Sequence, residues 1–293
     1  MIGVDWGTTS LRAWRLGADG TLLGARTSAQ GILAITNRQF GAVLRNVIGD
    51  WVEEGETRIL MCGMIGSRQG WVEVPYITCP AGIEDIAAGL TPIAFDGAQV
   101  MIVPGLLTMD CNKVPDVMRG EETQILGMVP DRAATMVACL PGTHSKWALI
   151  EKGRIQRFRT FMTGEIFSAL AAHTILARTI QAGPIDAAAF ASGVIRATEP
   201  GGLLHHAFGV RTRALRLEVS EADSYAYLSG LMIGHELNVA LDDQDGVVSV
   251  VGASALAGLY VEAIRSRGRV AMAIDETIGA AGLAQLGAYA AWT

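Results

Sequence analysis

The sequence predicts an α/β protein made of two similar halves, and three observations support this prediction. One pattern of strands and turns occurs twice, starting near residue 2 and again near residue 135. In the later part of the chain, apolar runs of strand length alternate with runs of helical spacing. The chain has 293 residues, of which 50% are hydrophobic, and this is enough for compact units with buried cores.

The first copy of the pattern opens the chain. Ile2–Trp6 is predicted as a strand, Gly7-Thr8-Thr9 as a turn, and Leu11–Leu16 as a second, alternating strand. A turn ending in Gly20 then leads to a third strand, Thr21–Thr27.

The second copy repeats the same order of parts. Strands are predicted over 135–140, 145–150 and 154–160, with a turn at Pro141–His144 and another ending in Gly153. A helix over 163–177 follows. Chance seldom repeats both turn residues and strand spacing, so the pattern indicates a duplication. We expect domains at 1–130 and 131–293, divided at Pro130-Asp131-Arg132, with a ligand cleft where the halves face each other.

The remaining elements continue the α/β alternation. Helices are predicted over 220–241, 255–268 and 277–291, and strands over 247–254 and 269–274. The last helix is rich in glycine and alanine and can pack within one subunit or between subunits. The sequence is therefore compatible with a homo-oligomer as well as with a monomer.

Composition excludes several classes of function. The net charge of −6 argues against a general nucleic-acid surface. The four cysteines lack metal-ligand spacing, which favours free thiols in a reducing compartment. The first strand begins at residue 2, leaving no room for a signal peptide, and the apolar stretches are too short or too weakly apolar to span a membrane. We therefore expect a cytoplasmic protein with no membrane or nucleic-acid partner.

The turn after the first strand has two interpretations. It is either an ordinary hairpin or a phosphate site, in which Gly7 lets backbone N–H groups converge on an anion and Thr8 and Thr9 add hydroxyls. Asp5 would repel phosphate unless a divalent cation were present, and Mg²⁺ binds through one or two carboxylates, water and phosphates. The second Gly-Thr turn, Gly142-Thr143, favours the phosphate interpretation. His144 beside it is either a ligand contact or structural.

Three further stretches could carry chemistry. Glu121 and Glu122 follow Gly120 and either favour the start of a helix or supply a general base, with Arg119 ready to bind an anion. The strand end at Gly252, Ala253 and Ser254 could let a nucleoside lie on the backbone. The loop over 61–71, which contains Ser67, either faces a substrate or has only a packing role in the fold. Together with Arg119, the basic residues Lys146, Arg157 and Arg159 could supply a positive field.

These motifs together resemble the superfamily of sugar kinases, heat-shock chaperone ATPases and actin. The opening loop resembles its first phosphate motif, PGTHSKW its second, and VVGASALAGLY its adenosine motif. RGEETQILG stands where several members carry a catalytic Glu or Gln, including the exopolyphosphatases. The resemblance implies two ribonuclease H-like halves with a central nucleotide cleft.

The chain is most similar to the 2-dehydro-3-deoxygalactonokinase family, nearly end to end. The similarity rests on an ordered run of strings beginning at Asp5, Gly63, Pro104, Met118, Pro141, Phe161 and Leu228. It implies phosphorylation of the 6-hydroxyl of 2-dehydro-3-deoxy-D-galactonate by ATP with Mg²⁺, in galactonate catabolism.

Residue roles follow from the same resemblance. Asp5 would hold the metal, and Thr8, Thr9 and Gly7 the phosphates, with Gly142 and Thr143 on the opposite wall. Gly252, Ala253 and Ser254 would line the nucleotide site. From the residues around the loops, and not from the resemblance, we expect the substrate to meet Arg119, Ser67, Lys146, His144 and Arg159.

The chain departs from the superfamily in one respect, since its second phosphate loop lacks the Asp that serves as base in some sugar kinases. The base is then Glu121, which matches the chaperone-type Glu-x-Thr pattern, or Glu122 if the helix phase differs by one residue. A phosphatase acting on polyphosphate or nucleotides would use the same scaffold with water as acceptor. A nucleotide-driven switch is the third hypothesis, although the chain has no recognisable filament insert or peptide-binding domain.

Overall fold

The computed structural model describes residues 1–129, 135–241 and 246–292. Up to residue 129 the elements are β1 (Ile2–Trp6), β2 (Leu11–Leu16), β3 (Leu22–Ser28), α1 (Phe40–Glu53), β4 (Arg58–Cys62), β5 (Ile77–Thr78), α2 (Ile83–Ala88), β6 (Thr91–Ile93), β7 (Gln99–Ile102), β8 (Leu106–Met109), β9 (Pro115–Met118) and α3 (Glu121–Met128). Short 3₁₀ helices occur at Ile32–Ala34 and Met64–Gly66.

From residue 135 the elements are β10 (Thr135–Leu140), β11 (Ser145–Glu151), β12 (Arg154–Phe161), α4 (Thr163–His173), α5 (Ala187–Arg196), α6 (Gly202–Leu215), α7 (Glu221–Ala240), β13 (Val248–Val251), α8 (Ser254–Ser266), β14 (Ala271–Ile274) and α9 (Ile278–Tyr289). A 3₁₀ helix follows α4 at Ile175–Arg178. Across the described ranges, no helix is both long and apolar enough to cross a bilayer.

The chain divides into two units. Unit 1 comprises Met1–Thr135, Leu149–Phe158 and Glu276–Thr293, and unit 2 comprises Met136–Ala148 and Arg159–Asp275. This differs from the predicted division at 130/131, because α9 and the tip of the β11–β12 hairpin belong to unit 1. The predicted boundary itself, Pro130-Asp131-Arg132, lies outside the described residues.

The main sheet of unit 1 has the order β3-β2-β1-β4-β7-β6. The β1–β2 and β2–β3 pairs are antiparallel, whereas β4 runs parallel to β1 and β7 parallel to β4. Helix α1 covers one face with Phe40, Leu44 and Ile48, which pack against Trp6 and Ile59. A small sheet, β5-β8-β9, completes the sheets of this unit among the described residues.

The second large sheet repeats this strand order. It runs β12-β11-β10-β13-β14, and β13 is parallel to both β10 and β14. In each sheet a three-stranded meander is followed by two parallel strands placed beside its first strand. The duplicated meander predicted from the sequence is therefore confirmed, and the duplication extends to five strands. A separate core joins α5, α6 and α7 through Ala197, Val210, Tyr227 and Leu231.

Candidate active site

In unit 1, the parallel strands β1 and β4 end side by side, with Asp5 opposite Cys62. Ligands of open α/β sheets bind beyond the carboxyl ends of parallel strands. Here that edge carries the first loop (Gly7–Ser10) after β1 and Gly63 after β4. Side chains of unit 1 that act on a ligand are therefore expected at this edge.

The first loop is a tight turn held from behind. Gly7 N–H donates to Ser10 O at 2.9 Å, Ile32 N–H donates to Gly7 O at 3.0 Å, and Thr8 and Thr9 are exposed. Gly7 is not among the glycines with positive φ, so the turn does not require glycine for a left-handed backbone at this position. The close approach occurs at Gly31, where a Cβ would overlap the backbone of Thr8 and Thr9.

Asp5 forms an ion pair that the sequence analysis missed. Arg12, directly opposite Asp5 on β2, places Nη2 3.1 Å from Asp5 Oδ2 and Nη1 2.7 Å from Glu276 Oε1. Burial raises the pKa of Asp5, and Arg12 opposes this shift. Arg12 therefore gives the Asp5 carboxylate a positively charged partner within the protein. The role of Asp5 toward Mg²⁺ stays a prediction.

The two candidate bases differ in their surroundings. Gly120, with φ at 111°, precedes α3, which begins at Glu121. Glu121 is half-buried, and its Oε2 accepts from Arg119 N–H at 3.0 Å. Glu122 is fully buried, its Oε2 accepts from Gly120 N–H at 2.7 Å, and its Oε1 has no partner among the described residues. Burial, followed by the charge of Glu121, raises the pKa of Glu122 to about 8.

These acids lie around the end of β4. A Cβ at Gly63 would lie 3.0 Å from Asp5 Oδ1, and one at Gly120 would lie 3.2 Å from Gly63 Cα. Burial, then the charges of Asp5 and Glu122, raise the pKa of Cys62, whose Sγ accepts from Thr123 Oγ1 at 3.3 Å. Asp5 and the start of α3 are thus neighbours around Gly63.

Arg119 is the predicted substrate residue that stands out in the structure. It is 8% exposed, its Nη2 donates to Val74 O at 2.7 Å, and its guanidinium lies 4.4 Å from the ring centroid of Tyr76. Its Nε and Nη1 are buried and have no partner among the described residues. A buried cation with two unused donors favours a carboxylate or phosphate partner.

In unit 2, the second loop (Gly142–His144) joins β10 to β11 and is also held from behind. Glu165 N–H donates to Thr143 O at 3.0 Å, and a Cβ at Gly164 would overlap Gly142 O. Nothing lies within 4 Å of the Cβ position of Gly142, and Thr143 is exposed. His144 Nε2 contacts Glu165 Oε2 at 2.6 Å. That contact gives His144 a structural partner without testing its predicted role.

The predicted adenosine motif lies beside the second loop. Because β10 and β13 are parallel neighbours, Gly252 at the end of β13 comes close to Pro141, whose O would lie 3.6 Å from a Cβ there. Ala253 caps α8 and Ser254 begins it. A cavity of about 290 Å³ opens here, between the second loop, α4, α7 and α8. Its lining is mostly apolar and includes Gly142, Gly164, Phe167, Met232, Leu256 and Tyr260.

The other predicted substrate residues have partners within the protein. Ser67 Oγ donates to Met64 O at 2.7 Å, which closes its own 3₁₀ turn. Lys146 is buried, and its Nζ donates to Thr160 Oγ1 at 2.8 Å. Arg159 Nη1 donates to Val239 O at 3.2 Å. The 61–71 loop packs through Trp71, which stacks on Phe40.

Glu236 on α7 is the second residue that the sequence analysis missed. It is buried beneath the second loop and accepts hydrogen bonds from Ser145 and Tyr260, among others. Arg12 could have been found from the β1–β2 register, which sets it opposite Asp5. For Glu236 the one available signal was an acid on an apolar helix, in SGLMIGHELNVAL.

Comparison with known proteins gives consistent matches. The 2-keto-3-deoxy-galactonokinase family matches residues 5–286. The chain is 40% identical to a probable 2-dehydro-3-deoxygalactonokinase of Rhizobium meliloti (strain 1021), over 93% of this chain and 91% of that protein. It is 34% identical to the 2-dehydro-3-deoxygalactonokinase of Escherichia coli (strain K12), over 91% and 90% of the two chains.

Solved structures agree with these matches. A Sinorhizobium meliloti protein provisionally named as a 2-dehydro-3-deoxygalactonokinase superposes with a TM-score of 0.90 at 39% identity, over 97% of each chain. The activator of 2-hydroxyisocaproyl-CoA dehydratase from Clostridium difficile, solved with bound ADPNP, superposes with a TM-score of 0.52 at 15% identity, over 99% of this chain and 94% of that one. The second likeness concerns the fold alone, and it confirms the predicted fold class.

Proposed function

This chain belongs to the 2-keto-3-deoxy-galactonokinase family, and we propose that it transfers the terminal phosphoryl group of ATP to 2-dehydro-3-deoxy-D-galactonate. It is a phosphotransferase that acts on an alcohol group of a sugar acid, in the catabolism of galactonate. The family resemblance assigns the 6-hydroxyl as the acceptor. The curated relatives are kinases, which favours this function over a phosphatase or a nucleotide-driven switch.

The observation that carries the proposal is the cavity of unit 2. It joins a phosphate-type loop to an apolar pocket at the end of parallel strands, the position where open α/β sheets bind nucleotides. Gly142 leaves open space beside the loop backbone, and Thr143 is exposed, so phosphate oxygens can approach both. The apolar walls from Phe167, Leu256 and Leu259 suit a purine ring.

Unit 1 supplies the charged groups of the proposed reaction. Glu121, half-buried at the start of α3, takes the proton of the acceptor hydroxyl as general base. Glu122 is the weaker candidate, because a buried carboxyl with a pKa of about 8 is largely protonated at neutral pH. Thr8, Thr9 and the backbone of the first loop donate to phosphate oxygens.

Mg²⁺ fits this site through a single carboxylate. In the described part of the chain, no group of three or more acids, histidines or cysteines could hold a metal ion. Mg²⁺ in kinases needs one or two carboxylates, with water and substrate phosphates completing its shell. Asp5 would hold the ion through water, with Arg12 fixing the carboxylate, and the ion would neutralise phosphate charge.

Arg119 is the basic residue best suited to bind the acid group of the substrate, since Lys146 and Arg159 already donate to protein oxygens. Bidentate pairing with a carboxylate would satisfy the two unused guanidinium donors of Arg119. The four free cysteines support a reducing compartment, and we place the enzyme in the cytoplasm.

The decisive experiment measures ADP release from Mg·ATP with a panel of 3-deoxy-2-keto sugar acids of different length and configuration. A kinase releases ADP only with an accepted acid and forms one phosphorylated product per ADP. A rate of ADP release that is the same with every acid and with none would contradict the proposal and favour hydrolysis. The rate with 2-dehydro-3-deoxy-D-galactonate is then compared with the rate with its gluconate epimer, and the faster reaction identifies the preferred substrate.

A further inference from the structure

The carboxylate of Glu236 collects four hydrogen bonds inside unit 2. Its Oε1 accepts from Ser145 Oγ at 2.7 Å and from Trp147 Nε1 at 2.6 Å. Its Oε2 accepts from Tyr260 Oη at 2.8 Å and also from Thr163 Oγ1. A carboxylate has about four acceptor positions, so these donors use all of them. These hydrogen bonds offset part of the cost of burying a carboxyl group that is only 3% exposed, although burial is the larger effect and raises the pKa of Glu236.

The four donors come from the elements that build the cavity of unit 2. Ser145 directly follows the second loop, and Thr163 begins α4, whose next residue, Gly164, packs on Gly142. Tyr260, on α8, lines the cavity. Ser229, Met232 and Ile233 also line it, and they lie on α7, the helix that carries Glu236. One carboxylate therefore connects the loop, the helix behind the loop and the cavity wall.

We infer that Glu236 is a positioning residue for the nucleotide, holding the second loop and the cavity wall in the geometry that binds ATP. This inference rests on the proposed function, which assigns ATP to this cavity. Glu236 acts through Ser145, Thr163 and Tyr260 and does not itself touch the nucleotide.

The hydrogen bonds also limit which groups can contact phosphate. The single O–H donors of Ser145 and Thr163 are directed to Glu236, so neither hydroxyl can donate to a phosphate oxygen at the same time. Within unit 2, recognition of the phosphates then falls to the backbone of the second loop and to Thr143. If Glu236 is altered, the released hydroxyls can turn and the loop loses its fixed position.

The first test substitutes Glu236→Gln, which keeps the size of the side chain but puts an NH₂ donor opposite two existing donors. Affinity for ATP is measured by calorimetry without acceptor, on protein shown to be folded by circular dichroism. We expect ATP binding to weaken by about ten- to a hundredfold, with the KM for the sugar acid nearly unchanged. A purely structural role would lower the melting temperature without changing the ATP affinity of the folded protein.

A second, milder variant keeps the test decisive if Glu236→Gln does not fold. Tyr260→Phe removes one donor to Glu236, and Tyr227→Phe is the matched control, since both tyrosines are buried in unit 2. We expect Tyr260→Phe to weaken ATP binding several-fold and Tyr227→Phe to leave it unchanged.

Equal ATP affinity for wild type, Tyr260→Phe and any folded Glu236→Gln would overturn the inference, while acid-dependent ADP release by wild type would leave the proposed function intact. A wild-type protein that binds no ATP would instead contradict the proposed function itself.

Discussion

The two units share a strand order but place their acids differently. In unit 1 an acid stands next to the loop, because Asp5 is the penultimate residue of β1 and pairs with Arg12 from the adjoining strand. In unit 2 the acid beneath the loop is Glu236, which comes from α7 and lies about ninety residues along the chain from Ser145. The duplication therefore repeats the order of the strands, whereas the acid beside each loop comes from a different element in each unit.

This difference suggests a division of labour. Unit 1 carries half-buried acids suited to proton transfer and metal binding, and unit 2 carries a cavity with a fully paired acid suited to holding a ligand. Variants in unit 1 should then change turnover, and variants in unit 2 should change nucleotide affinity.

The largest expected effect is in unit 1. Glu121→Gln removes the proposed base while keeping its shape, so turnover should fall by roughly 10²–10⁴-fold. The affinity for ATP should stay close to that of wild type, because Glu121 is assigned to the acceptor hydroxyl and not to the nucleotide. Steady-state kinetics and calorimetry on the same preparation measure the two quantities. Glu122→Gln is the matched control, and a large loss there with Glu121→Gln nearly silent would reverse the assignment of the base.

The second effect concerns pH and also belongs to unit 1. The pKa of Glu122 rises from 4.5 in the unfolded chain to about 8 in the folded protein, so the folded state holds a proton that the unfolded chain releases. This stabilisation is complete below pH 4.5 and is lost as the pH rises through 8. Between those limits the free energy of unfolding should fall, relative to Glu122→Gln, by on the order of a few kcal/mol. Urea titrations of both proteins from pH 5 to 8.5 measure the difference, and parallel curves would contradict the buried, protonated state.

The third effect compares the two loops directly. Gly31→Ala and Gly164→Ala each place a Cβ against loop backbone, which should destabilise the protein by about 1–3 kcal/mol. Gly164→Ala should in addition weaken ATP binding, and Gly31→Ala should mainly lower turnover. Gly258→Ala is the control, since it is helical and has open space beside it. If both loop variants changed ATP affinity equally, the division of labour would be wrong.

The smallest effect is expected at Asp5. Asp5→Asn keeps the hydrogen-bonding shape but removes the charge, so the Mg²⁺ concentration for half-maximal rate should rise about tenfold, roughly 1.4 kcal/mol. ATP affinity measured without Mg²⁺ should not change. An unaltered Mg²⁺ requirement would show that Asp5 serves only its ion pair with Arg12.

Local sequence patterns predicted the duplicated meander well. The strands β1, β2 and β10 begin and end at the predicted residues, because a Gly-Thr turn follows β1 and β10 and a Gly-containing turn follows β2. The predicted helix over 163–177 ends earlier, at His173. Thr174 adopts an extended backbone, and its Oγ1 accepts from Leu176 N–H at 3.2 Å, which starts a separate 3₁₀ helix. A side chain thus provided a local alternative to continuing the helix.

The candidate site could be predicted only in part, for a physical reason. Motifs within one loop, such as Gly142-Thr143, are visible in the sequence, whereas contacts between distant segments depend on packing. The pairing of Glu236 with Ser145 and the placement of Glu276 against Arg12 both join residues far apart in the chain. Glu122 is fully buried and Glu121 only half-buried, although the two residues are adjacent and identical in type. This difference in burial likewise depends on tertiary packing.

The contribution of α9 to unit 1 has a consequence for biosynthesis. This helix packs on α3, with Gly282 facing Thr123, just behind the two glutamates. A ribosome delivers residues 276–292 only after all of unit 2 has emerged, so the scaffold under Glu121 is assembled last. A chain interrupted after residue 275 would contain every residue of the cavity in unit 2 and yet lack the helix that supports Glu121, the proposed base.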